Sequence, residues 1–560
     1  MQAEYGSPQH YFTEQETRKR RILMKRRLTA LALSAAMALS LAACGSSGNS
    51  TSAGAPAQET AVQEAPAEES AGAQESEDAD PAAREDEKWT GEISHISMTY
   101  LTFGQTPADM DKVVAKINEL TIPKIGVEIE FVPLGIYDSL AQYPLWISSG
   151  ENVDLINIAF QDISTYINQG LIIPLNDIVA SSAPNISKMM QEYPLVDGSY
   201  KDGEFYGISP RAQTYGSGSS IMIPRRVLDS VGVVPEEDHI YSMEELGEIF
   251  AKEKEAFPDQ YMMDLVTSSI TGSRYGFYNS GLDALGATNS SGLLMGKNST
   301  EVKNLYATEE YAAYLNTIRD WYQKGYIHPD AATTSQTGTE WVTGGVALGN
   351  FVGGEPNQLY GAENLFGEPC YQLQTVEPFM PAKASSGAFW SIPITSKDPE
   401  GAMRFLDLMY DDTGELLNLI LWGIEGEHYV MVDPAEDLIG FPEGIDSTTS
   451  GYYVSFGFYG NRAKEYIWDM SSSHARCQAY TDWAMQNKTK GYGFCYDPSN
   501  YADQIAAINA VEAQYLPVLE SGSADPAKIL PEFLQKLDAA GINEVIADKQ
   551  AQFDEWLAQQ

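Results

Sequence analysis

The chain is predicted to fold as an α/β protein of two lobes, and three observations predict it. Short apolar runs alternate with amphipathic helical stretches after residue 92. Their order, β-α-β-α-β, requires right-handed parallel crossovers. The body from residue 89 to 560 is too long for one hydrophobic core, which stops growing at ~250–300 residues.

In order, 93–103 reads as a strand closed by the polar loop 104–107. A helix follows over 109–120, with Met110, Val113, Val114, Ile117 and Leu120 on one face. The pattern continues with a strand at 127–132, a helix at 137–149, a strand at 153–159 and a helix beginning at 162–169. Ligands of such sheets sit beyond the carboxyl ends of the strands. That singles out Phe103, Gly104 and Gln105 after the first strand, and Phe160, Gln161 and Asp162 after the third. Phe103 and Phe160 are equally compatible with capping the core.

The start of the chain reads as an export signal. Met24 is followed by Lys25-Arg26-Arg27, an apolar run over 28–41, and Leu41-Ala42-Ala43-Cys44. The run is too short for a membrane span, which needs ~20 apolar residues. Cys44 after Leu-Ala-Ala resembles the lipobox of bacterial lipoproteins, which implies acylation of its thiol and membrane tethering. Residues 1–43 are therefore expected to be a leader, the signal being 24–43 and 1–23 the product of a mis-assigned start codon. Residues 45–88 are almost wholly Gly, Ser, Ala, Pro, Gln, Glu and Asp, so 44–88 is expected to be a lipidated, disordered tether.

The formal net charge is −43. Such a surface repels nucleic acid and anionic headgroups, so neither is expected as a partner. Beyond Cys44 the cysteines are Cys370, Cys477 and Cys495, with no C-x-x-C; Cys477–Cys495 could bridge, but three free thiols are expected. The scattered histidines include no H-E-x-x-H, so no metal or cofactor is expected. No G-x-S-x-G elbow or phosphate loop occurs, and 292–298 lacks the spacing and hydroxyl of one. A glycosidase-type carboxylate pair has no local signature, and no sequence feature selects one.

Ordered landmarks along the body resemble the bacterial extracellular solute-binding proteins of ABC importers, in the branch that includes the maltose-binding protein. They are Gly150-Glu-Asn-Val-Asp154, Gly170-Leu-Ile-Ile-Pro174, Asp202-Gly-Glu-Phe-Tyr206-Gly-Ile-Ser-Pro210, Leu305 to Tyr311, Trp321 to Asp330, Lys397 to Phe405 and Gly423 to Tyr429. The tail from Gly491 through Gly541 to Gln552 resembles the C-terminal extension of a Gram-positive lipoprotein subset. The resemblance implies a periplasmic-binding-protein-like fold of type II, with hinge crossings between the lobes. The crossings are expected at 206–215, after 346–350 and near 399–412. The first lobe would then be 91–208 with 352–405, and the second 209–351 with 406–560, ending in helices over 505–519, 529–537 and 545–557.

A cleft closes only on solute that touches both faces. Sugar rings stack on aromatics and hydrogen-bond to polar side chains, and the chain has 9 Trp and 32 Tyr. By analogy with the family, the first-lobe candidates are Tyr100, Phe103, Gln105, Phe160, Gln161, Asp162 and Trp390. The hinge and second-lobe candidates are Arg211, Tyr215, Arg274, Tyr275, Tyr278, Trp341 and Trp422. Trp321, at helical spacing with Tyr314 and Ile318, is assigned to packing.

The expected function is non-enzymatic: a monomeric, lipid-anchored receptor on the extracellular face that captures a solute for an ABC permease. An oligosaccharide is the expected solute, with a peptide or another small polar solute as the alternative. A sensor that signals to a membrane kinase and a surface glycosidase are further readings.

Overall fold

A computed structural model describes residues 88–560 except 103–105, 160, 162, 202, 237, 269–271, 288–290, 384–387 and 454–456. The described residues fall in one compact unit, Ala82–Gln560.

The chain opens with β1 (Ser94–Thr102), α1 (Met110–Ile125), β2 (Val127–Gly135), α2 (Ser139–Ser149), β3 (Ile156–Ala159) and α3 (Ile163–Asn168). This is the predicted β-α-β-α-β order, with α1 running five residues past its predicted end to a left-handed Gly126 cap. β1 and β2 are parallel, in register from Ser94 opposite Val127 to Thr102 opposite Gly135. A parallel bridge from Met98 to Leu155 brings β3 to the other side of β1. Two short helices, α4 (Asn176–Ser182) and α5 (Pro184–Met189), complete the segment.

Beyond 216 a second sheet begins with β4 (Ser217–Pro224), followed by α6 (Met243–Ala256) and α7 (Glu309–Gln323). Ser242 and Glu245 form a capping box at the start of α6. Next come β5 (Asn350–Gly353), α8 (Gln358–Phe366) and β6 (Cys370–Phe379). β4 lies between β5 and β6 and is antiparallel to both.

The chain then returns to the first sheet, where β7 (Ala388–Ser391) pairs antiparallel with β3, Trp390 opposite Asn157. α9 (Pro399–Leu408) and α10 (Glu415–Trp422) follow, α9 packing on β1, α4 and α5 and α10 on α1. Finally α11 (His474–Gln486) packs on β6, and α12 (Ala502–Glu520), α13 (Pro526–Ala539) and α14 (Ile542–Leu557) close the second lobe.

The cores show how the lobes divide. Ile96, Val113, Phe131, Trp390, Phe405, Ile420 and Tyr452 share one cluster. Ile221, Phe250, Tyr311, Trp321, Leu373, Leu516 and Phe533 share another. The expected boundaries at 352–405 and 406–560 therefore change. β6, placed in the first lobe by the sequence reading, is hydrogen-bonded to β4 of the second. Residues of 406–468, placed in the second, bury Leu416, Ile420, Trp422 and Tyr459 in the first-lobe core. β6 still belongs to the second sheet at Phe379, and β7 to the first from Ala388. Tyr459 is in the first-lobe core, while the helix that starts at His474 packs on β6. The later passes between the lobes therefore differ from those expected after 350 and near 399–412. A strand carries no mark of which sheet it joins, because periodicity is local and pairing is not.

The segment 206–215 is the expected first crossing. Ile208 bridges to Trp390 on the first-lobe side, and Arg211 bridges in parallel to Asn461. At Gly216 the backbone has φ +125°, and a Cβ would run into the Ala484 methyl of α11.

Two stability predictions follow from this packing. Trp390 is fully buried and its indole N–H donates to the Phe458 carbonyl at 2.7 Å. Trp390→Ala should cost roughly 3–5 kcal/mol, read as a lower urea midpoint.

Glu253 on α6 is 0% exposed, and neither carboxylate oxygen has a partner. Burial pushes its pKa up to about 8. A carboxyl with a folded pKa above its unfolded value stabilises the fold fully below about 4.5, and that contribution is lost as pH rises through about 8. Unfolding free energy should therefore fall between pH 5 and 8, and Glu253→Gln should flatten that slope by an amount on the order of 3 kcal/mol across the window.

Candidate functional site

A cavity of about 800 Å3 is lined entirely by residues of the second lobe between 264 and 352. Three chain segments build it. The first leads from Asp264 to Ser268 and resumes at a 3-10 turn, Arg274–Phe277. The second is the run 332–339, in which every residue but Ala332 and Gly338 carries a hydroxyl or amide side chain. The third is β5, through Asn350, Phe351 and Val352.

Backbone and side-chain bonds hold the walls together. Thr267 and Ser268 donate their N–H groups to the Ala331 carbonyl at 2.8 and 3.1 Å, and Ser268 Oγ donates to the Thr334 carbonyl at 2.6 Å. The turn after α7 is tightened by Thr333 and Thr334 N–H groups on the Asp330 carbonyl. Asp264 accepts from Asn350 Nδ2 at 2.6 Å and from the Phe351 N–H at 3.0 Å, which ties the first wall to β5. Burial raises the Asp264 carboxyl pKa above its ordinary value; these bonds and the nearby Arg274 charge oppose the rise.

Arg274 supplies the cation. Its guanidinium lies 5.0 Å from the centre of the Phe277 ring, and its buried Nε has no hydrogen-bond partner. Phe277 in turn stacks on Phe351 with centroids 5.7 Å apart. The cavity thus offers an apolar flat face beside a guanidinium, an amide and several hydroxyls. That combination suits a ligand with C–H faces and a hydroxyl rim. Among the described residues no cluster of three or more His, Cys, Asp or Glu side chains could hold a metal ion.

Arg274 is the sequence candidate that lines this cavity. Trp341 sits beside it, in the helical turn Gly338–Thr343, but its ring is 1% exposed, packs on His328 at 4.5 Å and donates to Gln336 Oε1. Tyr275 and Tyr278 pack with Tyr314 in the second-lobe core, alongside Trp321, whose packing assignment agrees with its place there. Tyr100, Trp390 and Trp422 are buried in the first-lobe core, Tyr100 stacking on Phe131 at 5.2 Å. Trp422, expected on the second-lobe side, belongs to the first lobe through α10.

Arg211 and Tyr215 are buried at the crossing, both against Tyr193. Gln161 donates to Ser139 Oγ at 2.7 Å and accepts from the Tyr166 hydroxyl, so its amide is already engaged. Phe103, Gln105, Phe160, Asp162 and the lipobox Cys44 lie outside the described residues. Cys370 and Cys477 are buried thiols.

The sequence reading missed Asp264, Phe277, Asn350, Phe351 and the run 332–339. The run was the available signal: polar side chains bunched between a helix and a strand. Most of the aromatic candidates are instead spent on packing.

Comparison with known proteins then assigns the family. Residues 112–423 match the model of the bacterial extracellular solute-binding proteins, and residues 490–558 match a domain of unknown function. A carbohydrate ABC transporter substrate-binding protein of Streptococcus pneumoniae serotype 4 is 24% identical over 464 residues, 81% of this chain and 89% of that one. Among solved structures, the N-glycan transport solute binding protein of Streptococcus pneumoniae superposes with a TM-score of 0.69 at 20% identity, covering 83% of this chain and 99% of that chain. The substrate binding protein FusA of Streptococcus pneumoniae, solved with kestose, gives 0.56 at 15% identity over 84% and 100%. These neighbours share the two-lobe fold expected from the landmarks. With the matched model spanning more than half of its length, the chain belongs to the bacterial extracellular solute-binding protein family.

Proposed function

We propose that the protein is the oligosaccharide-capturing component of an ABC importer, held by a lipid on Cys44 at the outer face of the cell membrane. The cavity carries the reading. It sets Arg274, Asn350 and the 332–339 hydroxyls around the stacked Phe277 and Phe351, a surface complementary to sugar rings. Two sources support carbohydrate over peptide: the relative described as a carbohydrate transporter component, and neighbours solved with Man5GlcNAc and with kestose. The solute would be released unchanged to a permease. The signal ending in Leu41-Ala42-Ala43-Cys44 supports the anchor, and among the described residues no helix is long and apolar enough to cross a membrane.

The direct test is titration calorimetry of residues 89–560 with Man5GlcNAc, kestose, an oligo-uronate and a tripeptide. One sugar class should bind, raise the melting temperature and be recovered intact. A response to the peptide alone would remove the carbohydrate reading, and consumption of the sugar would remove the receptor reading. With the sugar that binds, Arg274→Ala should weaken affinity roughly 10- to 100-fold, the range for losing a hydrogen bond to a charged group.

For the anchor, Cys44→Ala in the full chain should move the protein from the membrane fraction to the medium, read by fractionation and blotting.

A further inference from the structure

The C-terminal extension, which matches a domain of unknown function, reaches the cavity from behind. The last turn of α12 carries Glu520, 0% exposed and with three donors on its carboxylate. Ser273 Oγ donates at 2.5 Å, the Arg274 backbone N–H at 2.6 Å and the Tyr311 hydroxyl at 2.8 Å. One turn earlier, the Pro517 carbonyl accepts from Thr267 Oγ1 at 2.8 Å. The extension therefore grips the chain that forms the first wall at two places, Thr267 and Ser273–Arg274.

α12 is itself firmly seated. Ile508, Tyr515, Leu516 and Leu519 are buried with Phe533, Leu537, Ile542 and Val545 in the second-lobe core. Just past its end, Arg319 of α7 donates to the Gly522 and Ser523 carbonyls. Gly522 has φ +75°, and a Cβ there would stand 2.6 Å from the Ile318 carbonyl oxygen, so the chain turns directly against α7.

We infer that the extension is a positioning element of the binding cavity, and that Glu520 is the positioning residue that fixes the backbone of Arg274 so that its guanidinium faces the ligand. The inference rests on the sugar-binding reading of that cavity. Glu520 touches no ligand; it acts through Arg274. The groups facing it are Ser273 and Arg274 from the turn and Tyr311 and Tyr314 from α7, with Tyr278 beside them and Asp264 sharing the Arg274 charge. Burial lifts the Glu520 pKa to about 7, against the three hydrogen bonds. The ionised form accepts all three donors, and protonation removes one acceptor position.

Glu512 provides the control. It lies on the same helix, is 3% exposed and accepts from the Tyr306 hydroxyl at 2.7 Å, and neither residue lines the cavity. The experiment compares wild type, Glu520→Gln and Glu512→Gln by hydrogen exchange of the peptide covering 264–277 and by affinity for Man5GlcNAc from pH 5.5 to 8.5. Expected results are at least tenfold faster exchange in that peptide and at least tenfold weaker binding for Glu520→Gln alone. Wild type and Glu512→Gln should also lose affinity as pH falls through about 7, a step that Glu520→Gln lacks.

If both variants act alike on exchange and affinity, or if Glu520→Gln leaves both unchanged, the positioning role is refuted. Should wild type bind no Man5GlcNAc, the sugar reading of the cavity loses that ligand. The exchange comparison still decides whether Glu520 braces the wall. If Glu520→Gln does not fold, Thr267→Val, which removes the hydroxyl's bonds to the Pro517 and Ala331 carbonyls while leaving the Thr267 N–H on Ala331 in place, takes its place in the exchange arm with the same two outcomes.

Discussion

The constraint on which the structure depends is the crossing between the lobes, and Arg211 holds it. Its guanidinium is buried where the chain leaves the first lobe, donating to the Ala212 and Gln213 carbonyls, the Tyr193 hydroxyl and Gln478 Oε1. It also lies 4.5 Å from the centre of the Tyr193 ring. Its own backbone is threaded between Gly460 and Arg462, the N–H on one carbonyl and the carbonyl on the other N–H. A buried cation is tolerated only when its donors are satisfied. Here the side chain's partners come from Tyr193 of the first lobe, the crossing segment itself and Gln478 of α11, while its backbone holds 460–462, so one residue gathers separate passes of the chain. Each lobe is consequently assembled from pieces far apart in sequence.

That assembly explains where the aromatic side chains go. Tyr275, Tyr278, Tyr311 and Tyr314 pack against one another in the second lobe, with interplanar angles from 39° to 89°. In the first lobe Trp422, Trp468, Tyr453 and Phe441 form a comparable group. Large rings supply the apolar area that two moderate cores need. The cavity draws instead on a guanidinium, an amide and short hydroxyl side chains, with only Phe277 and Phe351 as flat faces.

The strongly acidic composition has a counterpart inside the molecule. Glu253, Asp407 and Glu520 are buried, and burial raises the pKa of each, to about 8, 7 and 7. Asp407 and Glu520 are used as hinge pins for neighbouring backbone: Asp407 accepts from the Ile186 N–H and Asn185 side chain, joining α9 to α5. Glu253 has no such partner and is the exception.

The sequence by itself determined the local elements and the family landmarks. β1, α1, β2, α2 and β3 fall within a few residues of their predicted bounds, because strand and helix periods are set by neighbouring side chains. The place of Trp321 in a core was legible for the same reason. Only the tertiary structure decided which sheet β6 and β7 join, which lobe takes 406–468, and which aromatics are core. Those outcomes depend on pairing between residues more than a hundred positions apart, such as Cys370 with Pro224 and Trp390 with Asn157. A buried tyrosine and a ligand-facing one have the same local pattern; what surrounds them is settled when distant segments meet. Arg274 was legible as a residue type, but its setting against Glu520 of a helix some 250 positions away was not.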